Sequence, residues 1–557
     1  MTTSVSTTTS TAASTGYSTL QASDSGTGID YATLIEAKVA QRLTRADRID
    51  ATITENEATI SAYSDLQDLL LAMNDAIDGL RNRSASTGAS ENLFSQRTAY
   101  VSDDDVLSVT ADDDAEEGTY LIEVQQIATK HKISSDATSS RTEGMGLEGS
   151  FTIGLDGGES VTVEVESDDT LEEIRDAINA QKSTSGVSAS IVQVDDGSYQ
   201  LILTGTETGQ EISLTDGEGG VLAGLGLVDD DGAIANELVA AQDAIIVVDG
   251  VTITRDTNSI DDAIDGLTID LYAASEGDTL SVEIGTDLSA IKSALTDFVD
   301  AYNAYRDFAL QQQATGSDGT AADDATLFSD SLLRQVNQAV YDALNTSITT
   351  SDGDLLSLAD LGLTFDSSNK LTLDEDTLNS ILIDDIDGVR ELLGLNMESS
   401  SSQLSLLRYG DDVTATSFTL DITVEDGSVT SASVNGDDSL FTVSGKRLVG
   451  KEGTAYEGLV LVWSGSSGSV DVSFSQGLAD KLYSAVEAVA DEYDGDIQAM
   501  VDKLETENTQ LTTRSDTIKD NAESYRTRLT AYYARLEAAA ETANLLLQQL
   551  TYSEDDD

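Results

Sequence analysis

The 557-residue chain carries 102 Asp and Glu against 29 Lys and Arg, a formal charge of -73, with no Cys, no Pro and one His. That surface repels phosphate backbones and anionic lipid heads, which argues against nucleic-acid and membrane-surface binding. The missing Cys excludes disulfides, thiol nucleophiles and thiolate metal sites, and the length accommodates roughly three to five domains.

Residues 1–28 are Ser/Thr-rich, without a basic or apolar signal region, and read as a disordered tail. Helical periodicity follows over 29–85. Leu34, Ile35, Val39 and Leu43 form a short apolar face. Ile49, Ile53, Ile60, Tyr63, Leu66, Leu70, Met73, Ile77 and Leu80 continue it at spacings of three, four or seven. From Gln96 the period becomes two. Residues 86–140 and 240–286 read as one β-rich head domain, with hairpin chemistry at Asp249-Gly250.

A second β-α-β domain is expected as an insertion over 141–239. Thr170 and Glu173 form a capping box for a short helix there, and Asp196-Gly197 turns a hairpin. Asp216 to Asp231 reads as a Gly/Asp-rich break. Residues 287–400 return to helix, with a small turn-rich unit near Leu361 to Leu373. Residues 401–476 form a second β-rich domain punctuated by Gly.

The last helix is expected over 477–552, before an acidic tail at 553–557. Stepping by seven from Ile497 meets Leu504, Leu511, Ile518, Tyr525, Tyr532, Ala539 and Leu546. A strict seven-residue repeat stays on one line only if the helix supercoils against a partner. The helix at the other end of the chain is the expected partner. The fold class is therefore α+β multidomain: terminal helices paired as a coiled-coil stalk, with antiparallel β-rich head domains inserted between them. Asn508, Ser515 and Ala522 fall where a tight coil wants large apolar side chains, so the seam is marginal and is expected to order on contact with a partner.

No phosphate-binding Gly-rich loop or convincing nucleophile elbow is present. His131, between Lys130 and Lys132, reads as a surface residue. The nearest approach to a calcium loop begins at Asp261, but Ala263 and Tyr272 occupy positions that need oxygen ligands. No stretch reaches the roughly 18 apolar residues of a membrane span. No catalytic, cofactor or metal residues are expected; the candidate site is the assembly surface of the two terminal helices.

Several stretches, in order, resemble the flagellar filament cap family, hook-associated protein 2. They are Gly28-Ile-Asp30 with the helix after it, Gly118 to Ala128, and Thr170 to Asn179. Ser259 to Leu271, Phe298 to Asn303, Leu361 to Phe365 with Lys370 to Asp374, and Tyr525 to Tyr552 complete the set. The Thr170 segment is similar to a repeat shared by other flagellar axial proteins. The resemblance implies a structural cap at the distal filament tip, exported through the flagellar channel without a cleaved signal peptide. It implies a ring homo-oligomer, commonly a pentamer, with flagellin, a hook–filament junction protein and an export chaperone as partners. Tip adhesion is a conceivable secondary activity. The alternatives are another axial component, such as a flagellin-like or junction protein, or a surface adhesin. The family commonly has prolines, including near Leu43 to Arg45; this chain has none and is far more acidic.

Overall fold

The computed structural model of the chain describes residues 30–83, 92–350, 353–410 and 413–554. The expected tail over 1–28 lies outside them, as do residues 555–557. Both ends of the described chain are long helices. The N-terminal helix, Tyr31–Asp78, starts on Asp30, whose carboxylate accepts the backbone N–H of Thr33 at 3.0 Å. It ends at Asp78, capped by Gly79, where the periodicity is expected to stop.

The other end is two helices rather than one. Leu478–Ala490 ends on Asp491, whose backbone leaves helical geometry at ψ 132°, and Asp496–Glu554 follows. Asp491 accepts the N–H groups of Tyr493 and Asp494 at 2.9 and 2.6 Å, a local turn that competes with helix. Gly495 closes it: a Cβ there would stand 2.5 Å from the Asp491 carbonyl oxygen. The apolar period runs on in phase across this break, which hides it from periodicity.

Three β bodies lie between the helices. In the first, a five-stranded antiparallel sheet has the order 97–101, 280–286, 118–126, 244–248, 251–255. It shares a core with a three-stranded sheet of 259–264, 267–271 and 107–111, built on Ile122, Val124, Ile246, Ile269 and Val282. The segment from Asp261, tested above as a calcium loop, is part of this hairpin.

The inserted body contains the capping box, with Thr170 Oγ1 and the Glu173 carboxylate each accepting the other's backbone N–H. Its helix, Leu171–Ala180, buries Leu171, Ile174 and Ile178 against Phe151, Ile153 and Leu201. Strand Lys130–Ser134 pairs within this body, with Ser198–Thr208 and Glu237–Val239. The crossover from the first body therefore falls near Thr129, not at 140. The expected break at 216–231 instead supplies core: Val221, Leu222, Leu225, Leu227 and Val228 are buried.

His131 is not on the surface; it is 1% exposed. Its Nδ1 accepts the Ile212 N–H at 2.7 Å, and its Nε2 lies 3.2 Å from Glu237 Oε1. The flanking lysines gave no hint of this, because alternate residues of a strand face opposite sides.

The third body is a β sandwich of two four-stranded sheets that begins at Leu395–Ser399, inside the segment read as helical, and ends at Gly468–Gln476. A helical layer completes the molecule. It comprises Leu288–Gln312, Ser331–Leu344, Glu375–Asp384, Ile386–Leu393 and Leu478–Ala490, packed on the second half of the N-terminal helix.

Candidate assembly interface: the paired terminal helices

The N-terminal helix and Asp496–Glu554 run antiparallel. Asn56 Nδ2 donates to Asn508 Oδ1 at 2.8 Å, Ser515 Oγ to Asp50 Oδ1 at 2.6 Å, and Tyr31 stacks on Tyr533 with ring centroids 4.9 Å apart. Heptad spacing supplies two lines of side chains on the later helix. One is Ile497, Leu504, Leu511, Ile518 and Tyr525: Ile497 is buried and the others are half-buried. The second, offset by four, is Val501, Asn508, Ser515, Ala522 and Leu529, all buried or half-buried. This second line holds Asn508, Ser515 and Ala522, the positions that the heptad count places on the seam as weak members.

On the facing helix Ile49 is buried, Ile53 and Ile60 are half-buried, and Tyr63, Leu70 and Ile77 belong to the core of the helical layer. Tyr63 donates to Asp330 Oδ2 at 2.9 Å, and burial with that carboxylate pushes its phenol pKa above the ordinary value. Tyr532 and Leu546 are not on the seam; they are 57% and 55% exposed. Tyr533 takes the inward place, four residues beyond Leu529. A straight helix drifts by about 20° per heptad against a strict 3.5 repeat, so the inward line moves off a seven-residue count. Leu546 lies beyond the turn of the helix that faces Tyr31.

Cross-helix charges flank the seam. Lys519 Nζ lies 2.8 Å from Asp50 Oδ2, and Arg526 Nη2 lies 2.8 Å from Glu36 Oε2. The Lys519 ammonium, then the Ser515 hydroxyl, hold the Asp50 carboxyl below its ordinary pKa. On the opposite flank the Arg42 guanidinium sits 3.8 Å from the Tyr525 ring centroid.

A second cluster anchors the base of the pair. Asp480 is fully buried and lies 3.2 Å from Arg81 Nε and 2.6 Å from Arg83 Nε. Arg81 also pairs with Asp78 at 3.0 Å and covers the Tyr483 ring at 3.5 Å, while Arg83 stands 5.1 Å from the centroid of Tyr409. Asn82, in left-handed geometry at φ 52°, donates to the Leu395 carbonyl at 3.2 Å. The cluster thus fixes the end of the first helix, the return helix and the root of the third β body to one another. Sequence periodicity carried no signal for it.

These features define an elongated structural subunit: a long helix pair from the two ends of the chain, with β bodies looped out between. Among the described residues no group of three or more His, Cys, Asp or Glu is placed to hold a metal ion, and no helix is long and apolar enough to cross a membrane. The family profile described as flagellar hook-associated protein 2 C-terminus matches residues 241–544, its N-terminal counterpart matches 27–131, and the flagellin hook IN motif matches 150–207. The chain belongs to the flagellar hook-associated protein 2 family. The flagellar hook-associated protein 2 of Aeromonas caviae is 28% identical over 381 residues, 66% of this chain and 80% of that protein. The A-type flagellar hook-associated protein 2 of Pseudomonas aeruginosa is 28% identical over 388 residues, 65% of this chain and 76% of that one. Among solved structures, the D1-D2-D3 domains of the flagellar cap protein FliD from Escherichia coli are 28% identical and align at a TM-score of 0.42, covering 60% of this chain and 90% of that one.

Proposed function

We propose that this protein is the structural cap of a bacterial flagellar filament, sitting at the distal tip after export and promoting insertion of flagellin beneath it. The observation that carries this reading is that both family profiles fall on the regions that fold together as the helix pair and its helical layer. In the proposed arrangement the helix pairs are legs and the β bodies form a plate. Subunits close into a ring homo-oligomer, a pentamer by analogy with the family. Flagellin, the hook–filament junction protein and an export chaperone are its protein partners, and it performs no catalysis. The polar seam suits such a leg, because specific but weak contacts allow it to separate and re-seat as the filament grows.

Deletion of the gene tests the reading. Cells lacking it are expected to lose flagellin monomers to the medium and build no filament, with rescue by the wild-type gene. Filaments of normal length in the deletion strain would refute it.

A further inference from the structure

The third β body, 395–476, is tied to the rest of the chain at one neck. The chain leaves the helical layer at Leu393 and re-enters it at Leu478, and between them the Gly477 N–H donates to the Gly394 carbonyl at 2.7 Å. Glycine at both positions lets the outgoing and returning strands touch. A Cβ on Gly477 would stand 2.5 Å from that same carbonyl oxygen, and one on Gly394 would stand 2.3 Å from the Asn82 Cβ. The neighbouring attachments lie beside this neck. The Leu395 N–H donates to the Arg81 carbonyl at 2.8 Å, Asn82 Nδ2 donates to the Leu395 carbonyl, and Asn396 Nδ2 donates to that of Glu391. The Tyr409 ring, 5.1 Å from Arg83, is the contact from deeper in the body.

The core of this body is its own. Leu420, Leu448, Leu461, Trp463 and Val470 pack inside the sandwich, and among the described residues none of 395–476 belongs to the core of the helical layer. Its surface differs from that of the other two bodies. Leu407 is the one large apolar side chain exposed among its described residues, whereas the first body exposes Leu121, Val251 and Tyr272 and the inserted body Val192 and Leu238. One sheet face carries Ser, Thr and Asp that satisfy each other across strands. Thr419 Oγ1 donates to Asp471 Oδ1 at 2.7 Å, and Ser469 Oγ to Asp421 Oδ1 at 2.5 Å. Such a surface offers a neighbouring subunit little apolar area.

We propose that residues 395–476 are an accessory module set into a complete cap subunit: the module folds as a unit of its own, and the subunit assembles and caps without it. The functional half of this rests on the cap reading, whose plate then needs only the first two bodies. Insertion is tolerated where the ends of the insert meet and few contacts cross the boundary. Here the ends are in hydrogen-bond contact. Two residues in place of the module would close a β-turn on the bond that Gly477 already makes to Gly394. The Aeromonas caviae protein and the A-type Pseudomonas aeruginosa protein are both shorter than this chain, since each alignment fills a larger share of the relative than of this chain. The family's subunit is thus built with fewer residues.

The test uses Trp463, the chain's only Trp, which is buried in the module, while every helix of the described residues lies outside it. In the full-length protein, Trp fluorescence therefore reports the module and the helical circular dichroism signal reports the rest. Leu420→Ala, at a fully buried site of the module, is expected to lower the urea midpoint of the Trp463 transition by about 1 M or more and to leave the helical transition in place. Leu482→Ala, fully buried in the helical layer, is expected to do the reverse. Both transitions moving together in either variant would overturn the inference, because one cooperative unit would then span module and subunit. In cells, a chain with Gly-Gly in place of 395–476 is expected to build filaments of wild-type length. A shortened chain that fails to fold, or that folds and is exported while flagellin is lost unpolymerised, would overturn the inference and leave the cap reading standing. The cap reading falls only if filaments grow normally with the whole gene deleted, and the two unfolding transitions still decide whether the module is autonomous.

Discussion

Asp480 holds two guanidinium groups with no exposure to solvent, so its removal leaves buried charge unpaired. Breaking a buried pair from one side costs about 3–5 kcal/mol, because the partners keep their desolvation penalty. Asp480→Ala is therefore expected to lower the urea midpoint strongly, and a change below about 1 kcal/mol would show that the cluster is not an anchor. Asn56 and Asn508 make a different kind of contact. A polar pair inside an apolar seam weakens it and fixes its register. Replacing both with Leu is expected to raise the thermal midpoint of the helix pair while admitting other registers. Cysteines placed at 50 and 515 in that background would report this as a fall in cross-linking yield. At this scale little was legible beforehand. The polarity of Asn508 and Ser515 marked a weak seam, but only the fold shows that Asn56 and Asp50 answer them. His131 was misjudged for a related reason: its partners, Ile212 and Glu237, are remote in sequence.

Elements followed hydrophobic period closely and failed where period is silent. The seven-residue step identified the long helix and its facing partner, because both helices bury one narrow stripe. It could not reveal the turn at 491–495, since a break that preserves phase leaves no mark on periodicity. Gly495 is the one residue that betrays the break. An added Cβ meets backbone atoms of Asp491 and Val489 at 2.5–2.7 Å, which no rotamer change relieves. Gly495→Ala is expected to destabilise by about 1–3 kcal/mol, typical of overpacking, and to shift the angle between the two helices. The seam itself is graded. Ile497, Val501 and Leu504 join the large core of the helical layer, whereas the far half, 31–50 with 514–536, rests on the small cluster of Ile35, Val39 and Ala522. Hydrogen exchange of the free protein is expected to show strong protection through Leu504 and progressively weaker protection from Ser515 to Tyr533. Uniform strong protection across both halves would contradict a leg that orders on contact.

For the whole molecule, the charge that excluded nucleic acid and lipid partners at the outset also governs stability. Self-repulsion of a -73 chain acts against the compact state, and residues 79–495, with the three β bodies and most of the helical layer, carry -59 of it. Screening shortens the range of that repulsion from about 30 Å at 0.01 M salt to about 3 Å at 1 M. The thermal midpoint is therefore expected to rise steadily with NaCl, even though the surface ion pairs weaken in the same range, since exposed pairs contribute only about 0–1 kcal/mol each. The far half of the helix pair should behave oppositely. Its net charge is small, and the Asp50–Lys519 and Glu36–Arg526 pairs are part of what closes it. Acid sharpens the contrast. The Asp50 carboxyl has a lowered folded-state pKa, so its contribution is present above the unfolded value near 3.8 and is lost as pH falls through the folded value. Acidification through that window removes this cross-helix contact while relieving the general repulsion of the body. A label at Tyr533 is thus expected to report opening of the leg in acid at salt concentrations where the β bodies stay folded. Simultaneous loss of leg and body across pH and salt would show instead that the helix pair has no stability separate from the molecule that carries it.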